Sequence, residues 1–133
     1  MKTKRFLFWM CLVALGFSLA HSAAAANTAG SATFSVTTST YTAQYAPNHV
    51  VVVWVVDSSN KFVKTLCRHA GSRIGYLSRW ATSRGSYTNV DGTTSATLTR
   101  QPTNHVVVWD CRDTNGAVVA DGMYYFKVEY TSI

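Results

Sequence analysis

The run His49-Val-Val-Val-Val-Trp-Val-Val56 constrains the chain more than any other stretch, because every residue after the histidine is Val or Trp. β-Branched side chains favour an extended backbone, and eight residues are too few for an ordinary helix, so the run reads as a strand. Successive side chains leave a strand on opposite sides. A strand that is apolar at every position therefore wants cover on both faces. One face is expected to meet the core of a second sheet, and the other a long connection or a partner.

The rest of the chain supplies strands of a more ordinary kind. No Asp, Glu, Lys or Arg occurs in residues 27–56, and Phe34, Val36 and Tyr41 stand among hydroxyl residues in loose alternation, as in an edge-like strand. Further strands are read at residues 93–99, 105–112 and 123–131. In the last, Tyr124, Phe126, Val128 and Tyr130 alternate with Tyr125, Lys127, Glu129 and Thr131, giving one dry face and one wet. A near-repeat at an offset of 56 residues aligns Asn48-His49 with Asn104-His105, and Asp57-Ser-Ser-Asn60 with Asp113-Thr-Asn-Gly116. Each half reads strand, turn, strand, with turn residues that tolerate positive φ. Two similar hairpins in one sandwich explain the repeat more simply than a duplicated binding site. Ile74, Leu77 and Trp80 or Ala81 recur at helical spacing, so the long connection 68–90 has room for one short helix. The expected fold class is all-β, a two-sheet sandwich of about seven strands.

The N-terminus carries an address. Lys2, Lys4 and Arg5 precede an uncharged apolar run at 6–20, and Ala24 with Ala26 satisfies the A-x-A rule for cleavage before Asn27. The run falls short of the ~20 residues that span a bilayer. Cys11 follows Phe8-Trp9-Met10 rather than a lipobox. Residues 1–26 are therefore read as a signal peptide, and 27–133 as a single domain, periplasmic or secreted and not membrane-anchored. Losing Lys2, Lys4 and Arg5 takes Lys plus Arg from 12 to nine against six acids, a mild excess that argues against a nucleic-acid partner. The two remaining cysteines, Cys67 and Cys111, are expected to form one disulfide in an oxidising compartment. It would close a loop of about 45 residues and contribute ~4 kcal/mol.

Several stretches resemble a family of predicted periplasmic proteins of unknown function: Phe62-Val-Lys-Thr-Leu66, Leu77-Ser-Arg-Trp80, Val90-Asp91, His105-Val-Val-Val-Trp109-Asp110 and Asp121-Gly-Met-Tyr-Tyr125. Genes of that family sit near flavin transferases and membrane flavoproteins, which implies a redox or flavin-handling context. The stretch from Trp109 to Tyr124 also resembles the immunoglobulin-like domain of the flagellar hook-cap protein, which implies an immunoglobulin-like sandwich. Asp91-Gly-Thr-Thr-Ser-Ala-Thr97 is similar to the Asp-x-x-Ser/Thr-Gly-Ala-Thr motif onto which a flavin transferase esterifies FMN through the last Thr, here Thr97. Such chemistry asks for an exposed hydroxyl, small neighbours and an acid, here Asp91. Ser95 stands where the motif has Gly. Without the modification the stretch is a Thr-rich strand on a solvated face.

Lys61, Lys64, Arg68, Arg73, Arg79 and Arg84 fall in a span with no acid from 58 to 90, interleaved with His69, Tyr76, Trp80 and Tyr87. Arginine forks suit an anion, and Arg73 and Arg79 are the candidates for a flavin phosphate if Thr97 is modified. The ordinary account is a solvated face whose long stems pack over the core. His49, His69, His105, Cys67 and Cys111 lack a paired spacing such as His-x-x-x-His, so no metal ligands are assigned. No Gly-x-Ser-x-Gly elbow is present, and an enzyme is not expected. The reading is a non-catalytic exported module without a resident cofactor. It would bind a protein partner such as a membrane redox protein or flavin transferase. The alternatives are an electron carrier with covalent FMN on Thr97, and a structural surface subunit that assembles through the Val-rich strand.

Overall fold

The computed structural model describes residues 25–39, 48–86, 93–94, 98–99 and 103–132. Two strands stand apart from the main sheet: β1 (Ala32–Thr38) pairs antiparallel with β6 (Thr103–Trp109). The Val-rich run lies in β2 (Asn48–Asp57), the centre of a larger sheet, with β3 (Phe62–His69) on one side and β7 (Tyr124–Ser132) on the other, both antiparallel to it. Two short pieces complete that sheet. β4 (Thr93–Thr94) runs parallel to the end of β3, and β5 (Leu98–Thr99) pairs with the first residues of β2. Among the described residues the result is an all-β two-sheet sandwich of seven strands. The strand read at 93–99 is thus two separate pairs, and the one read at 105–112 ends at Trp109.

All six valines from 50 to 56 are fully buried, and Trp54 is nearly so. On the inner face, Val53 packs with Cys67 and Val107 against Phe34, Val36 and Leu66. On the outer face, Val50, Val52, Trp54 and Val56 pack with Ala70, Leu77 and Trp80. Those last residues belong to the long connection, which folds into a 3-10 helix (Gly71–Tyr76) and a short helix α1 (Ser78–Arg84). The double cover that the run demands is therefore present, supplied by the small sheet and by the helical connection.

Polar partners hold the helical layer in place. The indole N–H of the fully buried Trp80 donates to Thr65 Oγ1 at 2.9 Å, and that of Trp54 donates to Ser83 Oγ at 3.1 Å. Leu77 at the start of α1 offers no side-chain cap. Glu129, from the face of β7 read as wet, fills that role from outside the helix: its two oxygens accept the Arg79 and Trp80 N–H groups at 3.1 and 2.8 Å. The carboxylate so placed also complements the positive end of the helix. Arg68 and Arg84 lie over the Trp80 ring at 5.5 and 4.7 Å, and Lys64 pairs with Asp110 at 3.3 Å. Much of the basic run is accounted for in this way, by stems and guanidinium planes packed on the core.

The near-repeat is visible in hydrogen bonds. Asp57 Oδ1 accepts the N–H groups of Ser59 and Lys61, and Asp113 Oδ1 accepts those of Asn115 and Ala117. Asn60 and Gly116 occupy the matching left-handed position at φ 64° and 81°. The outcomes differ. The first turn closes a long hairpin, whereas the second closes only an isolated bridge between Arg112 and Val118.

Replacing Glu129 with Ala leaves two helix-end N–H groups without their charged acceptor. The expected loss is ~1–2 kcal/mol of unfolding free energy, read as a lower urea midpoint with an unchanged slope. Glu129→Gln, which keeps an acceptor oxygen, should recover part of it.

Candidate functional site

The pairing of β2 with β3 contains two irregularities, and the first decides which side chains enter the sandwich. Val53 opposes Cys67 while Trp54 opposes Thr65, so Leu66 is an extra residue on β3. Such a bulge reverses the alternation of faces. Thr65 is thereby turned outward to Trp80, whereas Leu66 and Cys67 both pack between the sheets. His69, two residues beyond Cys67, shares its face. Across the gap, His105 on β6 points inward and is buried. The thiol of Cys67 and one ring nitrogen from each of His69 and His105 lie within 4.8 Å of one another. The two rings are tilted at 40° with centroids 5.6 Å apart.

A fourth group joins this end of the sandwich. His49, fully buried at the start of β2, has Nδ1 3.3 Å from Thr38 Oγ1, and the same hydroxyl is 3.4 Å from His105 Nε2. A hydroxyl can donate to one ring and accept from the other, which suits two neutral imidazoles. The phenol of Tyr130 lies 3.3 Å from His49 Nε2 and donates to the Ser39 carbonyl at 2.7 Å. His49 and His105 are equivalent positions of the near-repeat, and the fold brings them to one hydroxyl.

Burial sets the protonation of the cluster. It lowers the pKa of His49 and His69 below the ordinary 6.5, and for His105 burial is reinforced by the two neighbouring histidines. Burial likewise raises the Cys67 thiol above its ordinary 9.0. At neutral pH the group comprises three neutral imidazoles and a protonated thiol. No metal ligands were expected from spacing alone, yet Cys67-x-His69 is a paired spacing on a strand, where positions i and i+2 share a face, and with His105 it makes a group whose chemistry could suit a late transition-metal ion.

The expected disulfide is not formed; Cys67 and Cys111 are both free thiols. Cys67 lies between the sheets beside Val107, whereas Cys111 lies past Trp109 and outside the strand. Cys111 instead borders an open pocket of about 410 Å³ with Trp109, Asp121 and Tyr124.

Asp91, Ser95 and Thr97 lie outside the described residues. Their described neighbours are informative: Thr94 pairs with His69, and Leu98 pairs with His49. The two arginines proposed to hold a phosphate lie in adjoining helical segments. Arg73 is in the 3-10 helix four residues after the end of β3, and Arg79 in α1 lines a depression with Asn60 and Lys127.

A family model described as "Predicted periplasmic protein (DUF2271)" matches residues 31–132. No curated protein and no solved structure matches the chain. Among the described residues no helix is long and apolar enough to cross a membrane.

The buried imidazoles make acid destabilising. Their folded pKa values lie below the ordinary 6.5, so as pH falls through that value the unfolded chain takes up protons that the folded chain refuses. In buffer with a strong chelator, Tm should be level from about pH 8 to 7 and fall between about pH 6.5 and 5, above the range where carboxylates titrate. His105→Gln should flatten that fall; a wild-type Tm that stays level to about pH 5 contradicts the account.

Proposed function

The chain belongs to this family of predicted periplasmic proteins, and from that premise we propose that it is a non-catalytic binding module accessory to a membrane redox or flavin-handling system. The observation that supports the reading is the anchoring of the chain on either side of residues 95–97. Thr94 pairs with His69 of β3 and Leu98 with His49 of β2, so the described residues within and just after the motif Asp91-Gly-Thr-Thr-Ser-Ala-Thr97 join the histidine end of the larger sheet. Sequence between two strands at one end of a sheet is where binding residues commonly sit, on a scaffold the sheet provides. The histidine end is the docking end.

The same anchoring favours a second reading, an electron carrier with FMN esterified to Thr97. Arg73 and Arg79 are then the candidate phosphate partners.

Intact mass and absorbance separate the two. After co-expression with a flavin transferase, the first reading expects an unmodified chain without flavin bands. A mass gain of one FMN less water that disappears in Thr97→Ala promotes the electron carrier to first place. For the docking end itself, a photo-crosslinker at exposed Ser72 is expected to capture a membrane redox protein or a flavin transferase in cells. Reproducible capture of an unrelated envelope protein instead sinks the accessory role.

A further inference from the structure

We propose that Cys67, His69 and His105 form a thiolate and bis-imidazole site for a copper or zinc ion, which clips β3 of the larger sheet to β6 of the smaller one. The three donors already lie within 4.8 Å of one another and come from both sheets. One ion bound at ~2.0–2.3 Å to each would bring them roughly 3.5 Å apart, so closure asks for movements of about 1 Å. Side-chain adjustment suffices for that; the strands need not shift.

The chemistry of the donors selects the ion. A thiolate with two imidazoles suits zinc and copper, and no carboxylate belongs to the cluster among the described residues, which disfavours magnesium and calcium. Burial keeps the imidazoles neutral and thus able to coordinate. Binding replaces the proton on Cys67 Sγ with the metal ion and releases that proton to water; no electron is transferred. Thr38, beside His105 Nε2, and His49 behind it, bonded in turn by Tyr130, are the outer partners that orient a ligating ring. Three protein donors leave a fourth position for water or an exogenous ligand, as in exchangeable rather than closed structural sites.

The plain alternative is a small apolar thiol packed beside two core histidines. Packing alone asks only for a side chain of suitable size at position 67. It does not ask for two imidazoles from different sheets with nitrogens turned toward the sulfur. The site does not depend on flavin: Thr97 takes no part in it, and the two readings can fail separately.

The test uses the exported protein, purified with reductant and stripped by chelator. Co(II) added to the wild type should give a thiolate-to-cobalt charge-transfer band that saturates at a single equivalent, and Zn(II) or Cu(I) should abolish it. Added Zn(II) should also raise Tm. Cys67→Ala, which keeps a small buried side chain, should lose the band, and His69→Gln and His105→Gln should each weaken binding at least ~10-fold. Cys111→Ala should change none of this. X-ray absorption of the wild-type zinc or copper form requires no variant and should show one sulfur and at least two nitrogens around the ion. No charge-transfer band in the wild type, a sulfur-free first shell, or a band that survives Cys67→Ala overturns the proposal.

Discussion

A strand that water reaches on neither face obliges the chain to build three layers out of about a hundred residues, and β2 is that strand. Six fully buried valines and Trp54 would each forgo on the order of 1.5–3 kcal/mol if left in water. The small sheet covers one side, with Phe34 stacked on Phe126 at 5.0 Å and Val107 set against Val53. The other side is covered by a connection that has become a layer, and this is the harder solution. Two tryptophan N–H groups and the open end of α1 must find partners there. Thr65, Ser83 and Glu129 supply them, so the outer layer is tied to β3 and β7 rather than merely resting on the sheet.

The sandwich is chemically polar along its length. One end gathers His49, His69, His105 and Cys67 around Thr38 and Tyr130, and receives the backbone of Thr94 and Leu98. The other end is built from aspartate turns, the Lys64–Asp110 pair and the pocket beside Cys111. This arrangement parts Cys67 from Cys111 and gathers the candidate donors at the end where Thr94 and Leu98 join the larger sheet.

Local chemistry made much of the fold legible. The Val-rich strand, the two aspartate turns and the helical spacing of Leu77 and Trp80 each follow from near neighbours in the chain, and each is present. The extents of the later strands were less legible. Whether an aspartate turn propagates into a long ladder depends on what stands opposite, and only β2 offers β3 a full apolar partner. The site was hardest to read. The even cysteine count drew Cys67 toward Cys111, while the spacing Cys67-x-His69, informative on a strand, was set aside for lack of a helical pair. That His105 faces them depends on how two sheets stack, which no local pattern encodes.

The extra residue at Leu66 has a consequence for how this chain can change over time. Removing it would leave Thr65 opposite Trp54 and Cys67 opposite Val53 as in an unbroken ladder, so what β3 must keep is its register against β2 rather than its length. A one-residue slip of that register would leave every donor in the sequence, yet turn Cys67 and His69 to the outer face and Thr65 to the inner one. For a related chain, identity at the three donor positions is therefore a weaker guide to shared chemistry than the register that β3 keeps against β2.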